Sequence, residues 1–400
     1  MSRRRNVGMS LGVAGLGAVC VCLAIFAAGI AFRLPCRDAC GSDLGRLYES
    51  RGIDRDHLPF VDRDLEYPPL VGVVMYVAGF PGYGSPRVSF VGNALILAAL
   101  AAWVTRQLWR QYGTRATRWL FAPPLVFEGL INWDLLAVAP ATCGLLIWIR
   151  GGAFWAGALL GVGAAAKLFP GLYVVMLAAS CIPGAEWRRA RDVVVGALVA
   201  GALIVVPVVL VAPSAIRQFL DFQGARPPTR GTLWFYLARD PAMHTWFSRD
   251  TLVTAGNVIT TGLTAIAVVA LATLVARGRL EALPACALVT IAFIVANKVY
   301  SPQYDLWVVP FLVMLPVRRR VVGHFFVSSF IVFTMSYVFS NFIPLPWFLY
   351  LNGAAVLYRV VVLLVLARDL SDLPLLAEKG ETPGDYGSHA DFPCFPAAPR

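Results

Sequence analysis

Residues 119–149 read WLFAPPLVFEGLINWDLLAVAPATCGLLIWI, with Arg118 just before them and Arg150 just after. The stretch is apolar enough for hydrocarbon and carries arginine at both ends. Arginine clusters between apolar runs mark the cytoplasmic side of a membrane protein, so this chain must leave that side and return within 31 residues. At 1.5 Å per residue, half of such a stretch reaches only about 20 Å, short of the roughly 30 Å of bilayer hydrocarbon. Its turn is therefore recessed, and irregular backbone at that depth is tolerated only where it lines a polar cavity. Asn132 and Asp134 stand at that turn.

The construction recurs twice. Residues 153–182 place Lys167 at their turn, and residues 282–317 place Asn297, Lys298, Gln303 and Asp305 there. Other apolar stretches lie between an arginine-marked end and an unmarked one, and read as single crossings: 8–32, 88–105, 192–212, 251–276, 321–340 and 346–367. Six single crossings and three doubled ones predict about twelve membrane helices, with both termini inside. Reading each doubled stretch as one long tilted helix is the alternative, but it would put Arg150 or the Arg188-Arg189-Arg191 cluster on the wrong side.

Composition agrees. The 400 residues are 58% hydrophobic and 14% charged, against roughly 25% charged in a soluble chain. The net charge of +11 sits in short arginine clusters between spans, which argues against a nucleic-acid partner and for the lipid bilayer. Arg3-Arg4-Arg5 and the apolar run Gly8–Phe32 imitate a signal peptide. The run is too long for one, and Arg33-Leu34-Pro35-Cys36 is a poor cleavage site, so a retained first span is expected. Five of the eight cysteines lie in apolar runs. Cys36 and Cys40, just beyond the first span, are either a small disulfide or two free thiols. No CxxC pair or histidine cluster suggests a metal.

Two segments are expected outside the cytoplasm. The first, 33–87, holds eight of the 23 carboxylates and a proline-bracketed apolar stretch, Leu70–Phe80, that suits an interfacial helix. The second, 213–250, is rich in arginine and aromatics and carries His244. The membrane domain is taken as 1–368, and 369–400 as a disordered cytoplasmic tail.

Ionisable residues within the membrane are functional candidates. Lys167 and Lys298, both at recessed turns, suit a phosphate-bearing ligand; ion pairs of Lys167 with Asp134 and Lys298 with Asp305 are the alternative. Glu128 needs a partner, and Arg359 is expected to snorkel to the interface. For a base, chemistry alone does not choose among Asp38, Asp43 and Glu66.

Ser42-Asp43 after the first span, followed by Leu65-Glu66-Tyr67-Pro68-Pro69-Leu70, resembles the first outer loop of the GT-C membrane glycosyltransferases. Gly129–Ala137, Lys167-Leu168-Phe169-Pro170 and Asn297–Tyr304 resemble glycosyltransferase family 87, the polyprenol-phosphate-mannose-dependent mannosyltransferases. The resemblance implies an all-α, GT-C-like polytopic bundle in the plasma membrane, serving cell-envelope biosynthesis. It implies inverting transfer of a hexose, mannose, from a polyprenyl-phosphate donor to a glycolipid or glycan acceptor on the extracytoplasmic face, with no cofactor. Asp43 matches the family's general base, with Glu66 as its rival. Lys298 and Lys167 would meet the donor phosphate, and Tyr67, Asn132, Asp134, Gln303, Tyr304 and His244 would line the substrate pocket. A transporter or flippase of a lipid-linked sugar is the competing expectation.

Overall fold

The computed structural model describes residues 2–36, 39–53, 57–79, 85–239 and 248–375. Asp38, Asp54, Asp56, His244 and the tail from residue 376 lie outside the described residues. Helices account for nearly all regular structure, and among the described residues the only β-type pairing is an isolated bridge between Pro59 and Arg63.

Among the described residues, six helices are long and apolar enough to cross a bilayer: Gly12–Arg33, Pro86–Leu120, Trp187–Val211, Asp250–Ala276, Arg319–Val338 and Leu345–Ser371. They coincide with the six single crossings expected. We label the elements in chain order: α1 (Ser2–Arg33), α2 (Asp43–Ser50), α3 (Pro69–Gly79), α4 (Pro86–Tyr112), α5 (Thr117–Leu120), α6 (Pro123–Glu128), α7 (Leu135–Ile149), α8 (Ala153–Ala166), α9 (Phe169–Ala179), α10 (Trp187–Val211), α11 (Ala215–Ala225), α12 (Leu233–Leu237), α13 (Arg249–Ala276), α14 (Ala282–Ala296), α15 (Val309–Met314), α16 (Arg319–Phe333) and α17 (Leu345–Ser371). A 3-10 segment, Pro302–Trp307, precedes α15.

The doubled stretches fold as short helix pairs. α6 and α7 meet at residues 129–134, α8 and α9 at Lys167-Leu168, and α14 and α15 across residues 297–308. The longest of these helices has 15 residues, about 22 Å, so none crosses alone, as expected of recessed pairs. Leu70–Phe80 forms α3 over Pro69–Gly79, whose buried residues pack among α4, α8 and α10.

Contacts gather the arginine clusters at one end. Arg150 donates to Gln111 Oε1 at 2.8 Å, and Arg189 lies 4.1 Å over the Trp148 ring. Arg118 donates to Leu312 O at 2.7 Å, and Arg318 pairs with Asp369 at 2.5 Å. The recessed turns are at the other end, with α2, α3 and α11.

Small residues let the helices close up. Gly157 and Gly161, four apart on α8, lie against the Val193 and Ala197 carbonyls of α10, and Gly196 lies against Phe154 O; a Cβ at any of them would strike backbone. Close approach of this kind supplies van der Waals packing where lipid leaves little hydrophobic drive between helices.

Candidate active site

The link from α1 to α2 is short and tied. Cys36 and Cys40 form a disulfide with Cα atoms 5.4 Å apart, and Arg33 donates to Cys40 O at 3.3 Å. Ser42 is the N-cap of α2: its hydroxyl accepts from Leu44 N at 3.3 Å and donates to Leu130 O at 2.5 Å. Asp43 N donates to Ile131 O at 2.8 Å. The first outer loop is thus fastened to the first recessed turn, and the Asp43 carboxylate is delivered to it.

Asn132 donates to Asp43 Oδ2 at 3.0 Å and to the Tyr67 hydroxyl at 2.6 Å, and Tyr67 itself donates to Asp43 Oδ2 at 3.2 Å. Burial pushes the Tyr67 phenol well above its ordinary value, and the charges of Asp43 and Glu66 push the same way. Tyr67 therefore stays protonated at neutral pH and serves as a donor. The other oxygen, Oδ1, meets only Arg46 in the described contacts, at 2.6 Å; that arginine side chain is 59% exposed. One oxygen of Asp43 is held by Tyr67 and Asn132 and the other is paired with the exposed Arg46.

Below this lies a cation in a ring of aromatics. Lys167 Nζ is 3.1 Å from Asp134 Oδ2, and Asp134 Oδ1 accepts from Trp307 Nε1 at 2.6 Å. The ammonium stands 5.9 Å from the Tyr67 ring centroid, 5.1 Å from Tyr304 and 5.8 Å from Trp307, within cation–π range. Tyr304 and Phe169 both stack on the Trp307 indole, at 4.3 and 4.2 Å. Tyr67 thus touches the carboxylate through its hydroxyl and the ammonium through its face. The ion pair weighed for Lys167 exists, and it sits inside the same cluster as Asp43.

Other candidates stand apart. Both oxygens of Glu66 are taken by Arg51, at 2.7 Å each. Gln303 is buried and accepts from Ser301 at 2.7 Å. The Lys298 ammonium donates to Gly224 O at 3.1 Å and to Arg226 O, at the C-terminal end of α11. It therefore pairs with carbonyls rather than with Asp305. Two charge-assisted bonds of roughly 1.5–3 kcal/mol each would be lost in Lys298→Met, so that variant is expected to melt earlier in detergent than Lys298→Arg. Equal melting of the two would remove this role.

Asp305 instead pairs with Arg359 of α17 at 3.2 Å, with both side chains essentially unexposed. Arg359 also lies 3.4 Å over the Tyr300 ring and donates to Gly231 O at 3.3 Å. The expectation that Arg359 snorkels is corrected: it faces inward because a buried carboxylate and ring are there to receive it. Glu128 is 1% exposed, and neither of its oxygens has a hydrogen-bond partner among the described residues. Among those residues no three His, Cys, Asp or Glu side chains converge to hold a metal ion.

Sequence reasoning missed Arg46 and Trp307. Arg46 lies one turn after Asp43 on α2, an i,i+3 spacing that puts both on one face. Trp307 lies beyond the motif ending at Tyr304.

Glycosyltransferase family 87 matches residues 65–302. The match includes Glu66, Tyr67, Asn132, Asp134, Lys167 and Lys298; Gln303 and Tyr304 fall just beyond its end, and Asp43 lies before its start. The crystal structure of ArnT from Cupriavidus metallidurans in the apo state is similar in fold, with a TM-score of 0.50 at 17% identity, over 94% of this chain and 78% of that one. The same protein bound to undecaprenyl phosphate gives 0.48 at 16% identity, over 93% and 77%. No curated protein matches the chain. The fold likeness is that of a GT-C membrane bundle, and with the family match extending over more than half of its length, this chain belongs to glycosyltransferase family 87 and is a membrane glycosyltransferase.

Proposed function

We propose that this glycosyltransferase moves a hexose, mannose, from a polyprenyl-phosphate donor to a glycolipid or glycan acceptor at the extracytoplasmic face, with inversion at the anomeric carbon. One observation supports this reading above others: a carboxylate whose second oxygen meets only an exposed arginine and a nearly buried ammonium stand on the hydroxyl and the face of one tyrosine. On this reading Asp43 is the base and Lys167 the partner of the anion.

In this mechanism the acceptor hydroxyl displaces the exposed Arg46 guanidinium and hydrogen-bonds Asp43 Oδ1. Its oxygen attacks the anomeric carbon opposite the phosphate and its proton passes to Asp43. The bond from the anomeric carbon to the phosphate oxygen breaks, and polyprenyl phosphate leaves with the electron pair. Lys167 meets the charge that develops on that phosphate; a positioned cation in a water-poor site stabilises it far better than water would. Tyr67 and Asn132 hold Oδ2, so Oδ1 stays aimed at the acceptor. Asp134 and Trp307 hold the lysine, and Tyr304 offers a ring beside it. Lys298 acts at one remove, by fastening α11. The arginine-rich end faces the cytoplasm and the recessed turns face out, so the site opens on the plasma membrane's outer side.

The test is purified protein in vesicles, given radiolabelled polyprenyl-phosphate mannose and a lipid extract. Label should move to an acceptor with inverted anomeric configuration, read by NMR of the product. Transfer from a nucleotide sugar instead, with none from the lipid donor, would overturn the reading.

A further inference from the structure

α16 does not finish as an α-helix. Thr334–Val338 forms one π-helical turn, in which the Phe339 N–H bonds Thr334 O five residues back. Such a turn holds one residue more than an α-helical turn, which swings the side chains after it by about 100° around the axis. π-turns of this kind occur frequently at functional sites. Tyr337 stands in this one, 36% exposed. Its ring stacks on Phe333 at 5.4 Å, and Phe333 stacks on Phe127 at 5.7 Å. The ring is therefore backed on one face, and its hydroxyl is held to a fixed place.

That place adjoins the base. The charges that act most strongly on the Tyr337 hydroxyl are those of Asp43, Glu128 and Arg46, and Ser301 is its hydrogen-bonding neighbour. α16 packs against α6, α17 and the 3-10 segment, whereas Lys167 stands between α8 and α9. The phenol thus belongs to the Oδ1 side of Asp43, where Arg46 is, and the ammonium to the Oδ2 side, behind Tyr67. The Ser301 hydroxyl gives its one proton to Gln303 Oε1, at 2.7 Å. Toward Tyr337 it can only accept. Tyr337 therefore donates its own proton to Ser301 and keeps its lone pairs to accept from a substrate hydroxyl.

We infer that Tyr337 determines which hydroxyl of the acceptor is glycosylated: its oxygen accepts a hydrogen bond from the hydroxyl next to the one that Asp43 deprotonates. This rests on the transfer to a sugar-bearing acceptor proposed above. A single contact at Asp43 Oδ1 leaves a sugar free to pivot, so that adjacent hydroxyls could take turns at the base. A second contact to the neighbouring hydroxyl removes that freedom. The acceptor is thereby a sugar with two adjacent hydroxyls. Gln303 contributes through Ser301, whose proton it takes, so that the phenol points its proton at Ser301 and its lone pairs at the acceptor. Tyr337 lies beyond residues 65–302, outside the stretch that this chain shares with the family model.

The full chain in vesicles is assayed with polyprenyl-phosphate mannose and the purified glycolipid fraction that takes label from it. Tyr337→Phe removes the oxygen and keeps the stack on Phe333, so its melting in detergent should match the parent. Its KM for the glycolipid fraction should rise about 2- to 12-fold, the worth of one neutral hydrogen bond, with the KM for the donor unchanged. NMR of the product should show a second positional isomer where the parent makes one. An unchanged isomer pattern overturns the assignment, whatever the acceptor KM does. A rise in both KM values with earlier melting also overturns it, since Tyr337 would then be structural only. In either case, transfer by the parent keeps the glycosyltransfer reading and removes only the role of Tyr337. No transfer from the lipid donor by the parent removes both.

Discussion

Replacing Asp43 with asparagine is expected to slow transfer by about 10²–10⁴-fold, the usual cost of removing a general base, while leaving the fold intact. Asparagine keeps the shape, and its side-chain oxygen can still accept from Tyr67 and Asn132, which now hold Oδ2 at 3.2 and 3.0 Å. The backbone bond of residue 43 to Ile131 O is untouched. What is lost is the ability to take a proton at the oxygen that faces Arg46. Glu66→Gln is the control in the same acidic loop. Its cost is the two-bonded contact with Arg51, a partly exposed pair worth about 1 kcal/mol or less in stability, with transfer largely kept. Rates measured at saturating donor decide between them. If Asp43→Asn retains more than about a tenth of parental activity while Glu66→Gln abolishes it, that range assigns the base to Glu66.

The second large effect concerns Lys167. Lys167→Met alone strands Asp134, whose side chain is 2% exposed, and breaking a buried pair from one side costs about 3–5 kcal/mol. Loss of activity in that variant would say little, because the protein itself is expected to melt early. Adding Asp134→Asn removes the stranded charge and keeps an acceptor for Trp307 Nε1, so most of the stability should return. Transfer should not return. A charge-assisted contact to phosphate is worth roughly 1.5–3 kcal/mol, which is about 10- to 150-fold in donor affinity. A double variant that melts like the parent yet shows donor KM raised in that range supports the phosphate role. Parental KM in the same protein would make the pair purely structural.

These two effects differ in how far ahead of the structure they were visible. Asp43 was one of three carboxylates that chemistry alone left equal, and its match to a family loop singled it out. The structure supplies the physical distinction, since Glu66 is engaged on both oxygens by Arg51 and Asp43 keeps one toward an exposed arginine. Lys167 was visible as a cation at a recessed turn, and so was its possible pairing with Asp134. The aromatic ring around it was not, because Tyr67 stands in the first outer loop while Tyr304 and Trp307 share the 3-10 segment far along the chain. The transport alternative ends with the family match, since members of that family are enzymes.

What the sequence by itself determined is the membrane character, the six long crossings and the three recessed turns. Each follows from quantities summed along the chain: apolar run length against bilayer thickness, and arginine placement against a fixed rise per residue. Only the tertiary structure decided which buried charges meet. Lys298 and Arg359 both had Asp305 within conceivable reach, and hydropathy treats the two cations alike. Arg359 took the carboxylate because α17 packs against α14 and α16 and presents a planar guanidinium to Asp305 and over Tyr300. Lys298, at the edge of α11, took the carbonyls of Gly224 and Arg226 instead. A buried charge is tolerated only beside a partner in good geometry, and geometry between helices depends on which faces pack together, a property that no single stretch of chain contains.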